Sequence, residues 1–373
     1  MSVDATITTP KPKKKKKRIF YLDALRALAI ISVILFHIFM QTRGIVAKYY
    51  GTPSLNWWIV DILGACFRCG VDIFLMLSGA LSLGRVWDIK TFLGKRLPRI
   101  AMPFVFWGVV LSIAMVLISM FWLPKIHTLD TFNIVNFFQY LFNSFMSKNP
   151  GFTQFWFFWM ILGTYLIMPI LNKWLYNCDM SEVEYFLVIW IVTCLFDYTI
   201  MTPFPIKLTY FTGPIGMVVL GYYLRHTKRK IFNNPYYSLL FLIVGAAMLI
   251  FASYCLSSPK EVVFLERYSV LYAIEVIGIF TLFKNASKFN IHIKFLENPD
   301  GIFRKGIFSI AKYSYGIYLV HRAILVVIYV ALLHVVKFRP HLLLMFVGTL
   351  GISWIIMALL NRIPYVNQVI GAK

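Results

Sequence analysis

A chain of 373 residues that is 60% hydrophobic and 17% aromatic, with a mean hydropathy of +0.73, is too apolar for a soluble domain of that length. Its formal charge of +22 does not point to nucleic acid, because the excess of Lys and Arg is spread over short segments between apolar runs and no soluble basic domain carries it. The composition predicts an all-α, polytopic integral membrane protein.

Residues 1–18 form a Lys-rich segment, with seven Lys and Arg between Lys11 and Arg18, expected to be a disordered cytoplasmic tail on anionic lipid headgroups. Runs close to the ~20 residues that cross a bilayer follow at about 19–40, 57–83, 100–122, 155–172, 184–201, 209–224, 237–256, 268–283, 308–333 and 341–360. These ten spans make one membrane domain, 19–362, with 363–373 as a cytoplasmic tail. The first run is too long for a signal peptide and lacks a small-residue cleavage site, so it is expected to stay in place. The sixth is short and carries Gly213, Pro214, Gly216 and Gly221, which predicts a kinked or broken helix. With both termini inside, cytoplasmic segments hold 24 of the 37 Lys and Arg and external loops nine, the asymmetry expected of a cytoplasmic N-terminus.

The first span contains the most informative pair, Arg26 and His37, with ten residues between them. A cation in the hydrocarbon costs about 2.5 kcal/mol or more, which favours a functional reading. Eleven helical steps are only ~20° past a whole number of turns and rise ~16 Å. Both side chains therefore face one way at two depths, Arg26 in the inner leaflet and His37 towards the outer edge. On the second span Asp72 falls at a depth close to that of Arg26 and is a candidate ion-pair partner. That span ends at Ser78-Gly79, and Lys95, Arg96 and Arg99 follow at the cytoplasmic surface. Guanidinium forks grip phosphate and a glycine admits a ligand close to the backbone. The same cations also fit a plain positive-inside loop, and Arg26 in the same leaflet favours the anion site.

Between the third and fourth spans, Phe132, Val135, Phe138, Phe142 and Phe145 recur at helical spacing, predicting an interfacial amphipathic helix. Trp156, in the aromatic stretch 154–159, reads either as an interfacial anchor or as a platform for a sugar ring. Further on, Glu275 and His321 fall in the outer half with His37. They fit either a polar pair that locks helices together or a carboxylate-oriented base. The five cysteines lie mostly in apolar helices, where thiols serve as small hydrophobes, and no metal site is expected.

Taken together, four motifs make the chain resemble membrane-bound acyltransferase family 3, the inner-membrane O-acyltransferases of bacterial surface glycans. They are Tyr21-Leu22-Asp23-Ala24-Leu25-Arg26 continuing to His37, the stretch from Val71 through Asp72 to Ser78-Gly79, Arg96 with Arg99, and the late run from Tyr313 and Ser314 to His321. Residues 154–171 are similar to the branch that contains the enterobacterial common antigen O-acetyltransferase. The resemblance implies a multi-pass protein of the bacterial cytoplasmic membrane that uses acyl-CoA, most often acetyl-CoA, as donor substrate. It implies CoA phosphates near Lys95, Arg96 and Arg99, a pantetheine arm passing Arg26, and an outer acceptor, a glycan or lipid-linked sugar. His37 would act as general base or carry the acyl group itself, with Arg26 positioning the donor. Neither route needs a metal or a resident cofactor. A glycan exporter or flippase without acyl transfer is the alternative; it predicts internal repeats, and no self-similar halves are found.

Overall fold

A computed structural model describes residues 18–50, 54–122, 133–202, 206, 213–256, 266–289, 298, 301–334 and 341–372. Among them there are helices and turns and no strand. The chain is an all-α polytopic membrane protein, and among the described residues eight helices are long and apolar enough to cross a bilayer. The Lys-rich segment 1–17 and Phe132 lie outside the described residues.

Helix α1, Phe20–Tyr50, is the central element. In its apolar window 67% of residues are buried, and it packs on α2, Leu55–Cys66, on α3, Gly70–Ser82, and on α12, Ile302–His334. Two helices reached later, α10 (Pro235–Leu256) and α13 (Leu342–Leu360), bury only 17% and 22% of theirs. Helices this apolar and this uncovered face lipid.

The expected second span, 57–83, is not one continuous helix. A 3-10 turn at Phe67–Cys69 separates α2 from α3, and the turn puts Arg68 at mid-span. Such a break is tolerated at membrane depth where protein surrounds it or where it borders a cavity. Helix α4, Ile89–Phe121, is capped by Asp88, whose carboxylate accepts from the Thr91 amide at 3.1 Å, and it carries Arg96 and Arg99 in its early turns. The loop into it is pinned by Asn172, whose amide nitrogen donates to the Arg85 carbonyl at 2.6 Å and whose oxygen accepts from the Arg85 amide at 3.3 Å.

The amphipathic stretch is realised as α5, Ile134–Phe145, capped by Asn133 accepting from the Asn136 amide at 2.7 Å. Val135, Phe138 and Phe142 are exposed on one face, while Tyr140 and Ser144 are buried on the other. Helices α6 (Trp156–Asn177) and α7 (Met180–Cys194) follow, and a π-turn at Leu195–Ile200 extends α7. The sixth expected span appears as the short α8, Pro214–His226, begun by Pro214 in its first turn after Gly213 at φ +82°. Its 13 residues rise only ~20 Å, so it is too short to cross alone. Helix α8 is packed tightly on α3: a Cβ on Gly79 would stand 1.8 Å from the Val218 carbonyl oxygen, and one on Gly221 2.0 Å from that of Met76.

After the short α9, Lys230–Asn233, helix α10 pairs with α11, Val270–Asn285. The long α12 then returns to α1 and α4, and α13 covers its outer side. Of the segment 363–373, expected as a tail, Ile370 and Gly371 are buried against the bundle while Ile363, Pro364 and Tyr365 are exposed. Its one-turn α14, Val366–Val369, lies against α4, Ile370 is fully buried, and its carbonyl accepts from the Trp107 indole N–H at 3.2 Å. Short apolar segments bury their backbone in this way only when a side-chain donor meets the freed carbonyl.

Candidate functional site

Two cavities enter the bundle beside α1, and one ring forms the wall they share. The first is lined by Arg26 on α1, Ser78 on α3, Arg96 and Arg99 on α4, Tyr165 on α6, and Ser314, Tyr315 and Tyr318 on α12, and it encloses about 790 Å³. The second spans about 560 Å³ including its open mouth and is lined by His37, Arg68, Thr153, Trp156, Arg267 and, again, Tyr318, together with apolar side chains of α1, α3 and the 3-10 turn. Arg26 and His37 thus face the same side of α1 and open on different cavities, as their eleven-residue separation along an α-helix dictates.

The first cavity is cationic. Arg26 Nη1 bonds the carboxylate of Asp23 at 2.9 Å, and that one carboxylate also meets Arg18 at 2.5 Å. One acid between two guanidiniums leaves the Arg26, Arg96 and Arg99 group with a net positive charge and donors to spare. Ser78 donates its hydroxyl hydrogen to the Phe74 carbonyl at 3.0 Å, so its oxygen is left as an acceptor on the wall. Tyr315, whose O–H donates to the Ile100 carbonyl at 2.8 Å, ties α12 to α4 at the cavity's side.

In the second cavity the His37 ring lies 5.2 Å from that of His321 and 5.1 Å from Phe36, centroid to centroid. The Nδ1 of His321 is 2.7 Å from the Tyr318 carbonyl. A carbonyl only accepts, so Nδ1 carries the hydrogen and Nε2 keeps a lone pair. That Nε2 is buried and makes no hydrogen bond. The guanidinium of Arg267 stacks 4.1 Å over the Trp156 ring, so one face of that indole is already covered.

Tyr318 belongs to both cavities. Its ring packs on Phe157 at 4.8 Å and edge-on to Phe74 at 6.3 Å, and its O–H donates to the Gln154 carbonyl at 3.0 Å. Gln154 is itself buried and donates to the Leu319 carbonyl at 2.7 Å. These two bonds clamp α12 to the turn before α6 and hold the partition in place.

Several residues expected at the site stand elsewhere. Asp72 is fully buried with neither oxygen hydrogen-bonded, and Arg26 pairs with Asp23 three residues away and not with it; the i, i+3 neighbour on the same helix is closer than a neighbour on another. Gly79 faces the backbone of α8 and is not in the lining of either cavity, and its missing side chain permits the close contact of the two helices. Lys95 is exposed and is not in the lining of the first cavity, although it precedes Arg99 by one helical turn. Glu275 is buried on α11 against the backbone of α10 at Gly245, and Tyr313 is buried; neither lines a cavity, and His321 meets His37 in place of a carboxylate. Conversely, sequence reasoning passed over Tyr318, Arg68 and Arg267. For Arg68 the signal was available, since a charge in the middle of a span calls for a role. Arg267 has no comparable signal in the sequence, and only the fold brings it over Trp156.

The family model described as an acyltransferase domain, acyltransferase family 3, matches residues 19–358. No curated protein and no solved structure matches the chain. With that match running from the start of α1 almost to the end of α13, the chain belongs to acyltransferase family 3 and is an integral-membrane acyltransferase.

Proposed function

We propose that this protein moves an acyl group, most simply acetyl, from cytoplasmic acyl-CoA to a hydroxyl of a glycan or lipid-linked sugar on the far side of a bacterial cytoplasmic membrane. The observation that carries the reading is the pair of cavities that meet at Tyr318, one lined by three arginines and the other by His37. The charge asymmetry of the loops supports placing the arginine end in the cytoplasm. In this reading Arg96 and Arg99 receive the CoA phosphates through charge-assisted forks. Arg26, deeper along the same wall, positions the pantetheine arm so that the thioester reaches the partition.

The acceptor enters from the His37 side. Its hydroxyl oxygen attacks the thioester carbonyl carbon, the C–S bond breaks, and the hydroxyl proton passes by way of His37 to the departing CoA sulfur. In the covalent variant a His37 nitrogen attacks first and releases CoA thiol, and the acceptor then takes the acyl group from the imidazole. Rapid acid quench of enzyme loaded with labelled acyl-CoA separates the two, because only the second leaves label on His37.

The deciding experiment compares wild type with His37→Ala, in cells and as purified protein. O-acyl groups on surface glycan are measured by mass spectrometry and free CoA by thiol release. The expected result is loss of both signals in the variant. Equal acyl content in the two proteins refutes the assignment.

A further inference from the structure

The proposed acyl transfer uses one imidazole, yet the fold sets a second beside it. His321 on α12 is fully buried, and its ring centre lies 5.2 Å from that of His37 on α1. Because Nδ1 gives its hydrogen to the Tyr318 carbonyl at 2.7 Å, the other ring nitrogen, Nε2, can only accept. That Nε2 is sealed from solvent and accepts no hydrogen bond among the described residues. A buried acceptor left without a donor is unfavourable, so its surroundings have to contain one that can turn to it.

Nearby donors are mostly engaged. The Tyr318 ring centre is 5.6 Å from that of His321, but its O–H is given to the Gln154 carbonyl at 3.0 Å. The Gln154 amide nitrogen in turn donates to the Leu319 carbonyl at 2.7 Å. Arg322, the next residue on α12, gives Nε to the Thr153 hydroxyl at 3.3 Å and Nη1 to the Gln41 side-chain oxygen at 3.0 Å. Arg267 is stacked on Trp156, and the Arg68 guanidinium lies over Phe36, 6.0 Å from its ring centre. His37 is the neighbour with the right reach. Two imidazoles joined by a straight N–H···N bond of ~2.9 Å stand about 5 Å apart, centre to centre, which is the separation found here. Their planes differ by 37°, and a twist about the N···N line leaves such a bond straight.

We propose that His321 is a positioning residue for His37: its Nε2 accepts the His37 N–H, fixes the tautomer of that ring, and leaves the other His37 nitrogen bare towards the cavity. This rests on the acyl-transfer reading and adds to it how the reacting imidazole is set. A base must begin neutral, and neutral imidazole has one N–H and one bare nitrogen in either of two tautomers. When the hydroxyl proton reaches His37, the ring carries two N–H groups and a positive charge, and the bond to His321 becomes charge-assisted. That strengthening comes only as the proton moves, so it acts on the chemical step and not on donor binding. The proton then passes to the CoA sulfur, and His321 ends the turnover as it began. In the covalent route the same bare nitrogen is the one that attacks.

The test compares wild type with His321→Leu, close in volume but without an acceptor, and His321→Gln, whose side-chain oxygen can stand where Nε2 does. Both variants lose the bond to the Tyr318 carbonyl, so a purely structural role predicts equal damage. Full-length purified proteins are given acetyl-CoA and the glycans and glycolipids extracted from membranes of the producing cell, and thiol release is followed. His321→Leu is expected to lower kcat about 100-fold with the KM for acetyl-CoA unchanged, and His321→Gln to return kcat to within about tenfold of wild type. Leu and Gln variants equally slow, or a Leu variant at the wild-type kcat, overturns the proposal and leaves acyl transfer standing. A second measurement needs neither turnover nor a folded variant at this position: nitrogen-15 NMR of histidine-labelled wild type, with the His37 signals assigned by their loss in His37→Ala. One His37 tautomer is expected, and a mixture of the two overturns the proposal. Wild-type protein that leaves acetyl-CoA intact with the extract present refutes acyl transfer itself, and this assignment with it, whatever the tautomer.

Discussion

Replacing Gly79 by Ala separates two readings of the Ser78-Gly79 pair, ligand approach and helix packing. The added Cβ would stand 1.8 Å from the Val218 carbonyl oxygen, 2.7 Å from its carbon and 3.1 Å from its Cα. A relaxed carbon to oxygen contact is about 3.3 Å, so α3 and α8 would have to part by about 1.5 Å. The obstructing atoms are backbone, and no rotamer change relieves them. The helices meet again at Gly221, where an added Cβ would stand 2.0 Å from the Met76 carbonyl oxygen, so neither rocking nor sliding frees one end without crowding the other. Overpacking a core costs about 1–3 kcal/mol; with rigid partners the upper end applies, and an apparent Tm lowered by roughly 5 °C is expected. The assay is thermal unfolding in detergent beside Gly163→Ala, where a Cβ meets nothing within 4 Å. The control is expected to be neutral or slightly stabilising. A Gly79→Ala protein with unchanged Tm but weakened acyl-CoA binding would refute the packing argument and return Gly79 to the donor site.

Three further outcomes are expected. Arg96→Ala combined with Arg99→Ala should raise the KM for acyl-CoA roughly 10- to 100-fold, with a difference from wild type that shrinks as salt rises; equal donor affinity would remove both from the phosphate site. Tyr318→Ala opens the wall common to the two cavities and should increase thiol release from acyl-CoA without acceptor, as water gains access to the thioester. Tyr318→Phe keeps the wall and loses only the bond to Gln154, about 1 kcal/mol, so identical thiol release from the Ala and Phe variants would show that the ring is no partition. Asn172→Ala strips both polar partners from the Arg85 backbone and should destabilise by about 1–3 kcal/mol, seen as faster proteolysis within 83–88; unaltered cleavage would mean the loop is held by other contacts.

The sequence by itself determined whatever follows from one helix or from bulk transfer energy. Hydropathy settles that the chain lives in a membrane as a helical bundle, because an unpaired backbone is too costly in hydrocarbon for much else. Helical period places Arg26 and His37 on one face, and the spacing of Phe138 and Phe142 marks an interfacial helix, observed as α5. What depends on neighbours was decided by the tertiary structure alone. Depth counting put Asp72 level with Arg26 but carries no information on azimuth between helices, and the nearer Asp23 took the pairing. Gly79 admits a ligand or a helix equally well, and only the position of α8 distinguishes them. The wall at Tyr318 and the guanidinium of Arg267 over Trp156 join segments more than 100 residues apart in the chain. Such contacts arise from packing long helices in a plane, where many arrangements satisfy the same hydropathy and small differences in side-chain fit choose among them.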